Sequence, residues 1–145
     1  MTTIQSTRRP GQGTRSHLMW LLYLCDAGLL VASGLIHLHL WDIAYRHVKT
    51  LDVLFLIQVA LALLAAVALL VTRHLLVTLG AAALMAGTMI GFLLARTVGI
   101  FGFRLTFSSG LAYTVLVVEA AAVVLLVLTG SLQLKQRPPT RHGRR

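Results

Sequence analysis

One cysteine, Cys25, stands in the whole chain. That excludes an intrachain disulfide, a multi-cysteine metal site and an iron–sulfur cluster. Its expected place is that of a small, buried apolar side chain. Charge is scarce as well. Charged residues make up 12% of the 145, against about a quarter in an ordinary soluble domain. Acidic residues number four, so each one inside an apolar segment stands out. The sequence has no paired aspartates, no HExxH and no glycine-rich phosphate loop, which removes the common routes to hydrolysis and phosphoryl transfer. It also lacks a small-x-small cleavage pattern after its first apolar run, so that run reads as a retained span rather than a signal peptide.

What remains is apolar. Hydrophobic residues are 57% of the chain, and a hydrocarbon core takes about 20 of them per helical crossing. Four such runs can be marked, at about 18–40, 51–71, 75–95 and 111–134. They predict an all-α polytopic membrane protein, an antiparallel bundle of four transmembrane helices. The membrane domain is expected over 17–134, between polar, basic, disordered tails at 1–16 and 135–145.

The net charge of +9 is placed at the ends of the spans. Arg8, Arg9, Arg15, Arg73, Lys135, Arg137, Arg141, Arg144 and Arg145 are nine of the thirteen basic residues, and all lie on one predicted side. The positive-inside rule then predicts a multi-pass protein of the cell membrane with both termini cytoplasmic. The tails are expected against anionic lipid head groups, each basic residue near the surface contributing about 1 kcal/mol. Neither tail interleaves aromatics with its charges, so nucleic acid is not expected as a partner.

The polar centre lies in span one. Positions seven and eleven apart return to nearly the same face of a helix, so Asp26, Leu30, Ser33 and His37 form one stripe, with Gly34 beside it. Span two carries Gln58 and span four Glu119. At 1.5 Å per residue, His37 lies roughly 6 Å inside Trp41, while Gln58 and Glu119 lie about 10 and 12 Å below the outer starts of their spans. His37, Gln58 and Glu119 are therefore expected to meet in the outer leaflet, with Ser33 and Asp26 leading inward. Ionised groups at such depth need partners or protons. A His–carboxylate pair supported by Gln58 is the simplest arrangement, whether structural or functional. Trp41, Tyr45, Arg96, Arg104 and Tyr113 are the expected outer rim. His17, Trp20 and Tyr23 suit the inner interface.

Two further patterns matter. Ala83, Gly87, Gly91 and Ala95, each four apart, predict close helix packing, inside the bundle rather than at a homodimer seam. Residues 96–110 are too apolar for a solvated loop and predict an interfacial segment or a short lid. His37 and His39 diverge by about 200° on a helix, so they cannot share one metal ion. No second axial histidine lies at matching depth for haem. No cofactor is expected.

The run Gly34-Leu-Ile-His37-Leu-His39-Leu-Trp41-Asp-Ile-Ala-Tyr45, with Leu54-Phe55-Leu-Ile-Gln58, Gly87-Thr88, Gly99-Ile-Phe101-Gly102-Phe103 and Glu119, resembles a group of small four-span membrane proteins of high-GC Gram-positive bacteria. The resemblance covers about residues 18–130 and implies the four-span architecture; it brings no activity or ligand. Function stays open among three classes. The first is an accessory or scaffold protein, with a membrane-protein partner or a second copy beside it. The second is a small proton-coupled transporter using Asp26, His37 and Glu119. The third is a membrane enzyme or cofactor binder at an outer pocket.

Overall fold

The computed structural model describes residues 12–48, 50–99 and 110–136. Four helices follow in order: α1 Gln12–Leu40, α2 Leu51–Thr72, α3 Leu75–Thr97 and α4 Gly110–Gln136. A five-residue π-helical turn, Trp41–Tyr45, continues α1. No proline falls within the four described helices, so no ring interrupts their backbone ladders. Each helix satisfies its own N–H and C=O groups, as hydrocarbon requires. All four are long and apolar enough to cross a membrane.

The helices pack in a ring, α1 on α2, α2 on α3, α3 on α4 and α4 back on α1. The α2–α3 connection sets the antiparallel sense with two residues, Arg73 and His74. Arg73 takes the left-handed conformation (φ 50°) that ends α2, and its N–H donates to the Leu69 carbonyl. Glycine usually fills such a position. Here the arginine side chain has a use, since its guanidinium lies 4.0 Å from the Trp20 ring centre on α1. His74 then caps α3, its ring accepting from the Leu76 N–H.

Leu30, Leu69, Met85 and Leu126 fill the centre with no exposed surface. Ala62, Ala66, Ala81 and Ala122 surround them, small enough to let the helices close in. Large apolar side chains cover the outside, among them Leu35, Leu64, Val67, Val71, Leu76 and Val124. A bundle apolar within and without is built for lipid rather than water.

Four expectations are corrected. Residues 12–16, expected in the tail, are helical. Adding turns to a nucleated helix fixes few dihedrals per hydrogen bond gained, so the polar Gln-Gly-Thr-Arg-Ser stretch joins α1 readily. Cys25 is exposed rather than buried. It precedes the inward Asp26 by one residue, and the 100° step turns it to the outside. Tyr23, expected with Trp20 among the rings facing the inner interface, turns inward instead and is 6% exposed, within the core. The small-residue ladder of α3 does not close a contact within the bundle. Ala83 and Gly87 face outward and Gly91 is half-buried, and a Cβ built on either glycine would meet nothing within 4 Å. The inner face of α3 is instead carried by Leu75, Thr78, Ala81, Ala82 and Met85, and of the ladder only Ala95 is buried. The expectations for residues 1–11, 100–109 and 137–145, Arg104 included, lie outside the described residues.

Close approach falls at other glycines. A Cβ on Gly34 would stand 3.6 Å from the Ala62 Cβ and 3.7 Å from the Val59 carbonyl oxygen on α2. Gly34→Ala should therefore be accommodated, and it gains about 0.5–1 kcal/mol of helix stability. Gly34→Leu should pry α1 from α2 at about 1–3 kcal/mol, whereas Gly87→Leu, which meets no neighbour, should gain about 0.5–1 kcal/mol from the lost helix penalty of glycine. Equilibrium unfolding in mixed micelles checks all three.

Candidate functional site

The interior side of each helix repeats in steps of three and four. On α1 it runs Tyr23, Asp26, Leu30, Ser33, His37, and on α4 Glu119, Ala122, Leu126, Thr129, Gln133, all buried. Polar residues occupy both ends of these stripes and apolar ones the middle. The bundle thus holds two polar levels, one toward Trp41 and one toward Arg73, divided by Leu30, Met85, Ala122 and Leu126.

At the Trp41 level, His37 Nδ1 lies 2.9 Å from the Ser33 carbonyl oxygen, one turn back on α1. A ring nitrogen facing a carbonyl must carry the proton, so Nδ1–H donates and Nε2 is the free nitrogen. Nε2 faces Glu119 Oε1 of α4 at 3.6 Å. Glu119 is 1% exposed, and neither of its oxygens receives a hydrogen bond from the described residues. The Thr88 hydroxyl of α3 neighbours it but spends its proton on the Leu84 and Met85 carbonyls. Ser33 Oγ and Gln58 Nε2 are likewise buried without a hydrogen-bond partner. Such groups cost about 1–3 kcal/mol each when left unpaired.

Above this level sits an aromatic stack. Phe55 of α2 lies 5.4 Å from the His37 ring and 4.6 Å from Tyr45, nearly parallel to the latter. Tyr45 comes from the π-helical turn, where the Arg46 N–H reaches back five residues to the Trp41 carbonyl. Extra residues of this kind often re-aim side chains at functional positions. Trp41 Nε1–H donates to Asp52 Oδ1, which ties the turn to α2.

At the Arg73 level, Thr129 donates to Asp26 Oδ2 at 2.7 Å, leaving Oδ1 without a hydrogen-bond partner. Gln133 Nε2 donates to the Tyr23 hydroxyl at 2.8 Å and to Thr78 Oγ at 3.0 Å. One amide therefore joins α1, α3 and α4.

No protein-family model, curated protein or solved structure matches this chain. The site stands on its own geometry.

The five residues of the expected cluster, Asp26, Ser33, His37, Gln58 and Glu119, are all buried, but they divide. His37 and Glu119 meet. Asp26 belongs to the other level with Thr129. Gln58 Nε2 is not bonded to the pair. The rim is spread rather than gathered. Arg96 lies 5.8 Å from the Tyr113 ring centre, linking α3 to α4, and Arg46 pairs with Asp42 at 3.3 Å. No group of three or more His, Cys, Asp or Glu side chains converges on a metal-sized space among the described residues. Thr78, Thr129 and Gln133 were not anticipated. Extending the stripe from Glu119 by three and four along α4 reaches Thr129 and Gln133, and that spacing was the usable signal.

Proposed function

We propose that the chain is an integral membrane protein of accessory or scaffold type, lying in the cell membrane with both termini cytoplasmic. Its polar interior fixes which helices pair and in what register, and its apolar outer faces meet lipid and a membrane-protein partner. The observation that carries this reading is the pattern of interhelical polar ties. Asp26–Thr129 and His37–Glu119 both tie α1 to α4, and the Gln133 junction adds α3, while among the described residues the apolar layer at Leu30 interrupts the polar stripe. Polar contacts of this kind specify helix association where lipid supplies no hydrophobic drive. The outward small face of α3 at Ala83 and Gly87 supports a docking role. The basic residues before α1 and after α4 support the orientation and contact with anionic head groups.

The test is mild-detergent purification of the tagged full-length chain, followed by protein mass spectrometry. A stoichiometric membrane-protein partner, retained by Glu119→Gln, is the expected result. Recovery of the chain alone, together with substrate-coupled proton flux in liposomes, would overturn it in favour of a transporter.

A further inference from the structure

The function proposed above leaves the Glu119 carboxyl without a role that needs its charge, and its surroundings give it one. With Nδ1–H committed to the Ser33 carbonyl, His37 presents a lone pair at Nε2. Opposite it, 3.6 Å away, stand carboxyl oxygens that accept no hydrogen bond from any described donor. Two acceptors facing each other in a buried site repel unless a proton lies on one of them. We infer that His37 and Glu119 form a proton-binding site, loaded from the Trp41 end of the bundle and shut off from the Asp26 level. One proton is taken up per chain, on Glu119, which leaves a neutral pair in the buried site, and the resulting O–H points at Nε2.

Among the described residues, the groups around the pair leave it to act alone. On α1 the other titratable interior residues are Asp26 and Tyr23, which lie beyond the Leu30 layer and bond to α4. On α2, Phe55 lies against the His37 ring and Gln58 is buried, and neither titrates, while Asp52 is held by Trp41. From α3 comes Thr88, and Arg96 is turned to Tyr113. On α4 the groups are Glu119 itself and Tyr113, which is 53% exposed. The π-helical turn adds Tyr45, stacked on Phe55, and the surface pair Asp42–Arg46.

Access has a direction. His37 keeps 8% of its surface exposed, and among the described residues the Phe55–Tyr45 stack lies over it on the Trp41 side. On the other side Leu30, Met85 and Leu126 have no exposed surface and offer a proton nothing to bind.

Infrared difference spectra between acid and alkaline pH, on the full-length chain in phosphatidylcholine liposomes, test the site. The expected result is a carboxyl C=O band, shifted in D2O, that is lost in Glu119→Gln and kept in Asp26→Asn. Should Glu119→Gln not fold, Glu119→Asp serves instead, and the band should change frequency. Sidedness is read from a trapped pH dye after an external pH jump. Wild type should show no leak above empty liposomes, Leu30→Ser should leak, and Leu30→Ser with Glu119→Gln should not. A band indifferent to both Glu119 variants would overturn the inference. So would an equimolar metal ion bound to wild type and lost in Glu119→Gln, a wild-type leak, or a Leu30→Ser leak that persists without Glu119.

Discussion

Replacing His37 by leucine is expected to destabilise the bundle by about 3–5 kcal/mol, the cost of stranding one member of a buried polar pair. The reason is local. Glu119 is 1% exposed, and among the described residues His37 Nε2 is the group its carboxyl faces at ion-pair range. Glu119→Leu should cost less, because His37 keeps its bond from Nδ1 to the Ser33 carbonyl. The double variant His37→Leu with Glu119→Leu should return to within about 1 kcal/mol of wild type, since replacing a buried pair by apolar groups of similar size is often neutral or better. A double-mutant cycle from equilibrium unfolding in mixed micelles isolates the pair term. If the double variant loses the sum of the two single losses, the side chains do not act on each other, and the contact is one of packing alone.

This pair was legible in the sequence, and the reason is a depth argument. His37 and Glu119 stand at comparable distances from the same ends of spans one and four, so an antiparallel bundle with α1 beside α4 brings them level. Asp26 shares a stripe with His37 and, on depth, leads inward from the group that His37 forms with Gln58 and Glu119. The stripe is real, but Leu30 interrupts it, and the eleven residues from 26 to 37 extend about 16 Å along a helix. Face and depth are separate coordinates, and periodicity reports only the first. Helix rotation was harder to read for α3. Its small residues at 83, 87, 91 and 95 keep one side, and so do Thr78, Ala81, Ala82 and Met85. In an apolar helix both sides suit the interior equally on hydrophobicity. What decides between them is which face finds matching polar atoms, and Thr78 finds Gln133. That match depends on two helices at once and cannot be read from either alone.

A second expected result separates the inside of this bundle from its outside more sharply than any polar residue does. Leu30→Ala should cost about 2–5 kcal/mol, the range for a leucine removed from a closed core. Leu30 has no exposed surface and packs among Leu69, Met85 and Leu126, so its removal leaves a void that these neighbours fill only in part. Leu64→Ala, on the outward face of α2 where Leu64 is 65% exposed, should cost almost nothing. In water a leucine gains free energy by leaving the solvent; in hydrocarbon it leaves one apolar surroundings for another, and only lost packing is felt. Leu64 also borders a shallow apolar groove of about 350 Å³ between α2 and α3, with Leu61, Ala65 and Gly80, and lipid fills such a groove as well as a side chain does. The same unfolding measurement in micelles gives both numbers. If Leu64→Ala were as costly in native membranes as Leu30→Ala while remaining silent in purified micelles, the α2 face would be covered by another protein in the cell. That outcome would place the accessory surface on α2 rather than on the small-residue face of α3. Equal and small losses at both positions would instead mean that Leu30 does not sit in a closed core, and the barrier between the two polar levels would fall with it.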